Sequence, residues 1–175
     1  MNEIVSAPVH VPGSFERFYQ AEFGRVLMLA WTLTGDRTRA EELAQDAFEA
    51  TFRRWSEIRE YDDAEAWVRR VVANKSASRV RRLVAERRAL DRIRARRDKP
   101  TTAGPSLPDE ALWRAVRDLP GRQRQVVSLH YVEDRSVAEI AVILELASNT
   151  VKVHLHRGRR ALAARLATRN EEASP

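Results

Sequence analysis

The stretch Ser136–Leu162 reads SVAEIAVILELASNTVKVHLHRGRRAL, and it decides the fold of the C-terminal half of the chain. Its first half carries apolar residues at helical spacing, the period is interrupted at Leu146, and a second apolar stripe follows. Ser148 is placed to accept a hydrogen bond from a free N–H in the first turn of the second helix. The pattern therefore predicts two short helices with a tight turn between them.

Basic residues fill the faces of the second helix that its apolar stripe leaves free. The stripe consists of Val151, Leu155 and Leu162. The basic residues between them are Lys152, His154, His156, Arg157, Arg159 and Arg160. This arrangement is typical of a helix-turn-helix whose second helix enters the major groove of DNA. The alternative is an ordinary helical hairpin with a solvated basic face, and the pattern favours DNA binding over it.

Charge is distributed unevenly along the 175 residues, which carry a net charge of +6. Residues 1–68 hold 7 Lys/Arg against 13 Asp/Glu, residues 69–99 hold 13 against 3, and residues 150–170 hold 6 against 0. Two separate basic blocks predict two separate contacts with a polyanion. The acidic N-terminal block predicts a partner other than nucleic acid.

The chain has no cysteine, no apolar run of the ~18–20 residues that span a bilayer, and no signal peptide at its N-terminus. Disulfides and thiolate metal sites are excluded, and we expect a cytoplasmic protein without membrane insertion. Its four histidines lack the spacing of zinc ligands, and the sequence has no Gly-rich phosphate loop or nucleophile motif. We therefore expect no metal site, no cofactor and no enzyme.

Residues 14–97 are predicted to form the first of two helical domains. Ser14 starts a helix with a wide aromatic stripe that ends at Gly35. Thr38 and Glu41 have the spacing of a capping box for a second helix. The exposed face of that helix carries Glu42, Gln45, Asp46 and Glu49. On spacing alone, plain solvent exposure is slightly favoured for this face over partner binding.

A third helix is predicted to start at Asp62 or Asp63 and to be rich in arginine on its exposed face. The arginines are Arg69, Arg70, Arg79, Arg81, Arg82, Arg87 and Arg88. This density favours phosphate contacts that weaken as the salt concentration rises. Residues 98–108, with three prolines and a glycine, are predicted to form a flexible linker to a second helical domain at residues 109–168. The expected fold class is all-α, with the helix-turn-helix in the C-terminal domain.

Three blocks of sequence, in order, resemble a known family. The C-terminal domain contains LPGRQRQVV at 119–127, HY at 130–131, EIA at 139–141, and TVK at 150–152 followed by Leu155, Arg157 and Arg159. The N-terminal domain contains AEELAQDAF at 40–48 followed by Trp55, then WV at 67–68, VVAN at 71–74 and Arg81-Arg82. Together they resemble the extracytoplasmic-function (ECF) sigma factors of bacterial RNA polymerase, in the sigma-70 superfamily. The resemblance covers roughly residues 14–85 and 108–165.

The resemblance implies a role for the acidic helix face and for the arginine-rich helix. Glu42, Gln45, Asp46 and Glu49 would face the clamp helices of the polymerase β′ subunit, so the resemblance favours binding over solvation for this face. The break at residues 57–63 would hold a flipped base of the promoter −10 element, and cationic contacts would offset the few kcal/mol of unstacking. The residues implied in −10 binding are Tyr61, Asn74, Lys75, Ser78, Arg79, Arg81 and Arg82.

The resemblance also implies that the helix-turn-helix reads the −35 element as duplex DNA. Lys152, Val153, His156 and Arg157 match positions that face bases in the family. Asn149, Thr150, His154 and Arg160 are more plausible on phosphates. Arg157 is the preferred residue for a bidentate contact with guanine.

The implied partners are promoter DNA, the β′ clamp helices and β flap of core RNA polymerase, and an anti-sigma factor, by which family members are often held. The chain departs from the family pattern at the turn and the start of the second helix. Glu145 stands where glycine is frequent, Ala147 where a Ser or Thr cap is common, and Val153 where a small polar residue is frequent, so the base preference of relatives cannot be transferred. Two alternatives remain at this point, a stand-alone dimeric helix-turn-helix repressor or activator, and an RNA-binding or scaffold protein.

Overall fold

The computed structural model describes residues 14–60, 64–91 and 110–172, and within these ranges it contains eight α-helices and no strand. The helices are α1 Phe15–Thr34, α2 Arg37–Arg53, α3 Trp55–Ile58, α4 Ala64–Asp91, α5 Glu110–Arg117, α6 Gly121–Tyr131, α7 Val137–Leu144 and α8 Ser148–Glu172. The all-α fold class is confirmed. Tyr61, the expected helix cap at Asp62 or Asp63, and the linker at 98–108 lie outside the described residues.

The end of α1 and the start of α2 are fixed by the neighbouring residues Gly35 and Asp36. Gly35 ends α1 in the left-handed conformation with φ 70°, as predicted, and its N–H donates to the carbonyl of Trp31. The capping box predicted at Thr38 and Glu41 is wrong. Asp36 caps α2 instead, because its carboxylate accepts from the N–H of Arg39 at 2.9 Å, so the helix begins before Thr38.

The first domain packs α1, α2 and α4 around one apolar core. Val26 and Leu29 of α1, Leu43 of α2, and Val68 and Val72 of α4 are all fully buried or nearly so. The aromatic stripe of α1 packs against this core and continues into ring contacts with α2 and α3. The packing leaves the opposite face of α2 exposed.

The second domain packs α5, α6 and α7 against the long helix α8. Val151, Leu155 and Leu162 are buried, as their spacing predicts. The carbonyl of Ala147 accepts the first hydrogen bonds of α8, from the N–H groups of Thr150 and Val151. The cap predicted at Ser148 is therefore wrong, because Ala147 holds the cap position and Ser148 is already the first helical residue.

Both ends of α7, the first helix of the helix-turn-helix, are fixed by identifiable residues. Ser136 and Glu139 form a capping box, in which each side chain bonds the backbone N–H of the other. At the other end Glu145 adopts the left-handed conformation, with φ 53°. The left-handed residue reverses the chain after α7 and directs it into α8.

The two domains are in contact. α4 packs against α7, and α1 packs against α5 and α6. Arg69, which the sequence predicted on an exposed face, is completely buried between Glu22 of α1 and Glu133, which follows α6. The exposed position predicted for Arg69 is wrong because the second domain covers that part of α4. In the ranges that the structure describes, no helix is both long enough and apolar enough to cross a membrane.

Candidate functional site

The exposed face of α8 carries six of the eight residues predicted to bind the −35 element. In an α-helix, positions three and four apart share a face, so Asn149, Val153, His156 and Arg160 line up opposite the buried stripe. Lys152 and Arg157 flank this line, and all six residues are exposed. Residues 150–170 include no Asp or Glu. The face is therefore positively charged, and it attracts phosphates.

Thr150 and His154 lie at the edge of this face and are only partly exposed. Nδ1 of His154 is enclosed and makes no hydrogen bond to any described residue. Burial, and after it the charges of Arg157 and Arg122, lower the pKa of His154. This shift favours the neutral imidazole, which can offer a phosphate a hydrogen bond but no charge.

Arg159 has a different place from its basic neighbours on α8. Its Nε donates to the hydroxyl of Tyr131 at 2.6 Å, and its guanidinium lies 5.5 Å from the centre of the Tyr131 ring. A second nitrogen lies 3.2 Å from Nε2 of His130. Arg159 therefore ties α8 to the end of α6.

The face of α2 that the sequence singled out is exposed along its whole length. Glu42, Gln45, Asp46 and Glu49 share this side of the helix, and the buried residues of α2 occupy the other side. An exposed row of three carboxylates and one amide presents acceptors to a basic or mixed-charge helix surface.

Three residues of the predicted −10 set are described with their side chains. Asn74, Lys75 and Ser78 are exposed on α4. Arg79, Arg81 and Arg82 lie on the same helix, and their side chains are outside the described ones. Nζ of Lys75 is 3.0 Å from a carboxylate oxygen of Asp46, so the predicted polymerase-binding face and the predicted −10 face meet at one ion pair.

Sequence reasoning missed the capping box that starts α7 and the buried environment of Arg69. The S-x-x-E spacing of Ser136 and Glu139 is a recognisable signal for the first. No local signal exists for the second, because the carboxylates that surround Arg69 are distant in sequence.

Comparison with known proteins agrees with this geometry. Residues 18–86 match the family described as Sigma-70 region 2, and residues 109–162 match the family described as Sigma-70, region 4. The RNA polymerase sigma-E factor of Streptomyces coelicolor is 30% identical over 169 residues, which cover 91% of this chain and 89% of that protein. The chain belongs to the ECF sigma factors of the sigma-70 family. A region 2 match beside a region 4 match does not favour the stand-alone helix-turn-helix regulator.

Further relatives also match over most of the length of both chains. The RNA polymerase sigma-E factor of Streptomyces antibioticus is 31% identical over 160 residues, covering 91% of this sigma factor and 88% of that one. The ECF RNA polymerase sigma factor SigW of Bacillus subtilis is 28% identical, covering 81% and 83%. The sigma factor RpoE of Bartonella quintana, solved in complex with the anti-sigma factor NepR, has the same fold with a TM-score of 0.73 at 21% identity, over 87% of this chain and 96% of that chain.

Proposed function

We propose that this sigma factor binds core RNA polymerase through α2 and reads two promoter elements, one with each domain. The domains are those expected from the sequence, residues 14–97 and 109–168, with 98–108 as the linker. The chain lends promoter specificity to the polymerase, and RNA synthesis itself is carried out by the core enzyme. It acts in the cytoplasm, where the polymerase and the promoter are.

The proposed polymerase contact is the exposed row of Glu42, Gln45, Asp46 and Glu49, against the β′ clamp helices. The second domain contacts the β flap. An anti-sigma factor is a further proposed partner, and the structural similarity to a sigma factor solved with NepR supports it.

The proposed −10 contacts are Tyr61, Asn74, Lys75, Ser78, Arg79, Arg81 and Arg82. The proposed −35 contacts are Asn149, Thr150, Lys152, Val153, His154, His156, Arg157 and Arg160. The observation that carries the proposal is the exposed basic face of α8, together with the exposed acidic face of α2 in the same chain. The stand-alone helix-turn-helix alternative assigns no partner to the second of these faces.

Transcription with sigma-free core polymerase and a promoter library tests the proposal. We expect promoter-specific transcripts with the unmodified chain. Asp46→Lys reverses a charge on the α2 face and should lower the affinity for core at least tenfold, a loss of about 1.4 kcal/mol of binding free energy. Asp118→Lys is the matched control, since Asp118 is exposed between α5 and α6. Tight duplex binding without any core binding would contradict the proposal.

A further inference from the structure

A cavity of about 240 Å³ lies where α6 packs against α1 and α4. Its apolar wall is formed by Leu33 at the end of α1 and Ala77 of α4. Its polar wall consists of Ser76 of α4 and of Arg122, Arg124 and Gln125 of α6. None of the residues that line it is acidic. The cavity therefore has one apolar side and one cationic side.

The two guanidinium groups at the cavity have no carboxylate within ion-pair distance among the described residues. Nη1 of Arg124 donates to the carbonyl oxygen of Arg117 at 2.9 Å, and Nη1 of Arg122 donates to Oε1 of Gln125 at 3.1 Å. Both acceptors are neutral. Each guanidinium has five N–H donors, so most of these donors are still available to a ligand.

Arg124 is the more enclosed of the two cations. Burial lowers the pKa of Arg124, and the charge of Asp118 opposes this shift. Asp118 is itself exposed. A cation removed from water is unfavourable unless an anion or good hydrogen bonds compensate it. An anion in the cavity would supply this compensation.

The buried polar residues of the cavity are held in fixed positions. Gln125 and Ser76 are 2% and 5% exposed. Nε2 of Gln125 donates to the carbonyl oxygen of Ala73 at 2.7 Å, and Oγ of Ser76 donates to the same oxygen at 2.8 Å. Because Gln125 also accepts from Arg122, the same network orients that guanidinium. The cavity is therefore largely pre-formed, as small-molecule sites usually are.

The size and the charge of the cavity define a class of ligand. A volume of about 240 Å³ corresponds to roughly eight water molecules at ~30 Å³ each, which is room for one aromatic ring with a small anionic group. A phosphate monoester carries a charge of about −1.5 to −2 at pH 7, and its oxygens accept paired N–H bonds from guanidinium groups. This charge matches two arginines more closely than the single charge of a carboxylate does.

We propose that the cavity binds a small phosphate monoester with an apolar body. The phosphate contacts Arg122 and Arg124, and the body packs on Leu33 and Ala77. Duplex DNA is a poor occupant, because Leu33 is 3% exposed and a DNA backbone does not reach it. The proposal rests on none of the residues assigned to promoter or polymerase binding, so it is tested separately from the proposed function.

Titration of the unmodified chain with phenyl phosphate, followed by NMR of the backbone amides, tests the proposal. We expect saturable binding with a dissociation constant of roughly 0.1–1 mM, the range expected for a ligand with so few non-hydrogen atoms. The shifted amides should centre on Ser76, Ala77, Gly121 and Gln125. Inorganic phosphate lacks the apolar body and benzyl alcohol lacks the charge, so each should bind at least tenfold more weakly.

Two variants test the two walls of the cavity. Arg124→Gln removes one charge and should weaken the binding of phenyl phosphate about tenfold, because a hydrogen bond between charged groups is lost. Ala77→Leu keeps both charges but fills the apolar side, so it should weaken binding to a similar degree and remains informative if Arg124→Gln does not fold. Arg25→Gln is the matched control, because Arg25 is exposed on α1 and does not line the cavity. Its affinity should be unchanged, and circular dichroism verifies that each variant is folded.

The absence of saturable binding would overturn the site. Equal affinities for inorganic phosphate and phenyl phosphate would overturn the ligand class, because the apolar wall would then contribute nothing. Equal losses in Arg25→Gln and Arg124→Gln, or shifts centred on α8, would indicate general attraction to a basic protein instead of a site. Displacement of phenyl phosphate by a short DNA duplex would assign the two arginines to the DNA backbone and remove the small-molecule site.

Discussion

Gly158 of α8 packs against Val127 of α6. A Cβ at this position would lie 2.6 Å from Cγ2 of Val127, much closer than packed carbon atoms approach. Gly158→Ala should therefore lower the free energy of unfolding by about 1–3 kcal/mol through overpacking, although alanine favours the helix by about 1 kcal/mol. Urea denaturation followed by circular dichroism measures the change.

Gly24→Ala is the matched control, because Gly24 is inside α1 and a Cβ there would meet no atom within 4 Å. This change should raise the free energy of unfolding by about 0.5–1 kcal/mol. Stabilisation by both substitutions would contradict the close approach of α8 and α6.

Arg157 is the residue on which the proposed base preference most depends. Arg157→Ala should weaken discrimination at the −35 element by about 1–3 kcal/mol, because a bidentate contact with guanine would be lost. Selection from a promoter library by the core-bound protein measures it. Arg25→Ala removes the same charge from an exposed position on α1 and should leave the selected −35 sequences unchanged. Equal selectivity for Arg157→Ala and the unmodified protein would contradict the assignment.

At the scale of one helix, α7 depends on its capping box. The hydrogen bonds from the side chain and backbone of Ser136, and then the bond from Arg135, lower the pKa of Glu139 to about 2. Glutamate in an unfolded chain has a pKa of about 4.3. Because the folded pKa is the lower one, the stabilisation is complete above about pH 5 and is lost as the pH falls toward 2.

Glu139→Gln should therefore reduce stability at pH 7 and have little effect near pH 2, where the folded carboxyl is itself protonated. The effect at pH 7 will be modest, because Glu139 is 40% exposed and solvent screens its charge. Denaturant titrations at the two pH values measure the difference. Ser136→Ala removes the largest cause of the shift and should flatten the same pH dependence, whereas an equal loss at both pH values would contradict the role of the carboxylate.

The sequence predicted the helices better than their ends. The spacing of Val151, Leu155 and Leu162 defined the buried side of α8, because helical periodicity is local. The start of α2 was misplaced because Asp36 and Thr38 are both good caps. The left-handed Gly35 decided between them by ending α1 directly before Asp36. Ser148 was misassigned for a similar reason, since it directly follows the cap residue Ala147.

At the scale of the whole molecule, the sequence could not predict which polar face another domain covers. The arginines of α4 look alike in the sequence, yet Arg69 is buried and Arg70 caps a helix of the other domain. The partners of Arg69, Glu22 and Glu133, are 47 and 64 residues away from it. No local pattern carries such a contact, so the exposed faces of α8 and α2 could be predicted from the sequence, whereas the contacts of Arg69 and Arg70 could not.

The Arg69 cluster gives the last prediction. Removing the guanidinium leaves the carboxylates of Glu22 and Glu133 buried without their cation, so Arg69→Met should cost about 3–5 kcal/mol of unfolding free energy. Arg37→Met, which breaks the exposed pair with Glu41, should cost less than about 1 kcal/mol. Urea denaturation compares the two.

A second variant separates lost attraction from uncompensated charge. Arg69→Met combined with Glu22→Gln and Glu133→Gln should recover a large part of the lost stability, because neutral amides are less costly to bury than carboxylates. If Arg69→Met is as mild as Arg37→Met, the carboxylates reach water in the variant, and the cluster does not hold the domains together. If the two domains of the triple variant are folded but no longer in contact, the cluster contributes to domain docking rather than to the stability of either domain.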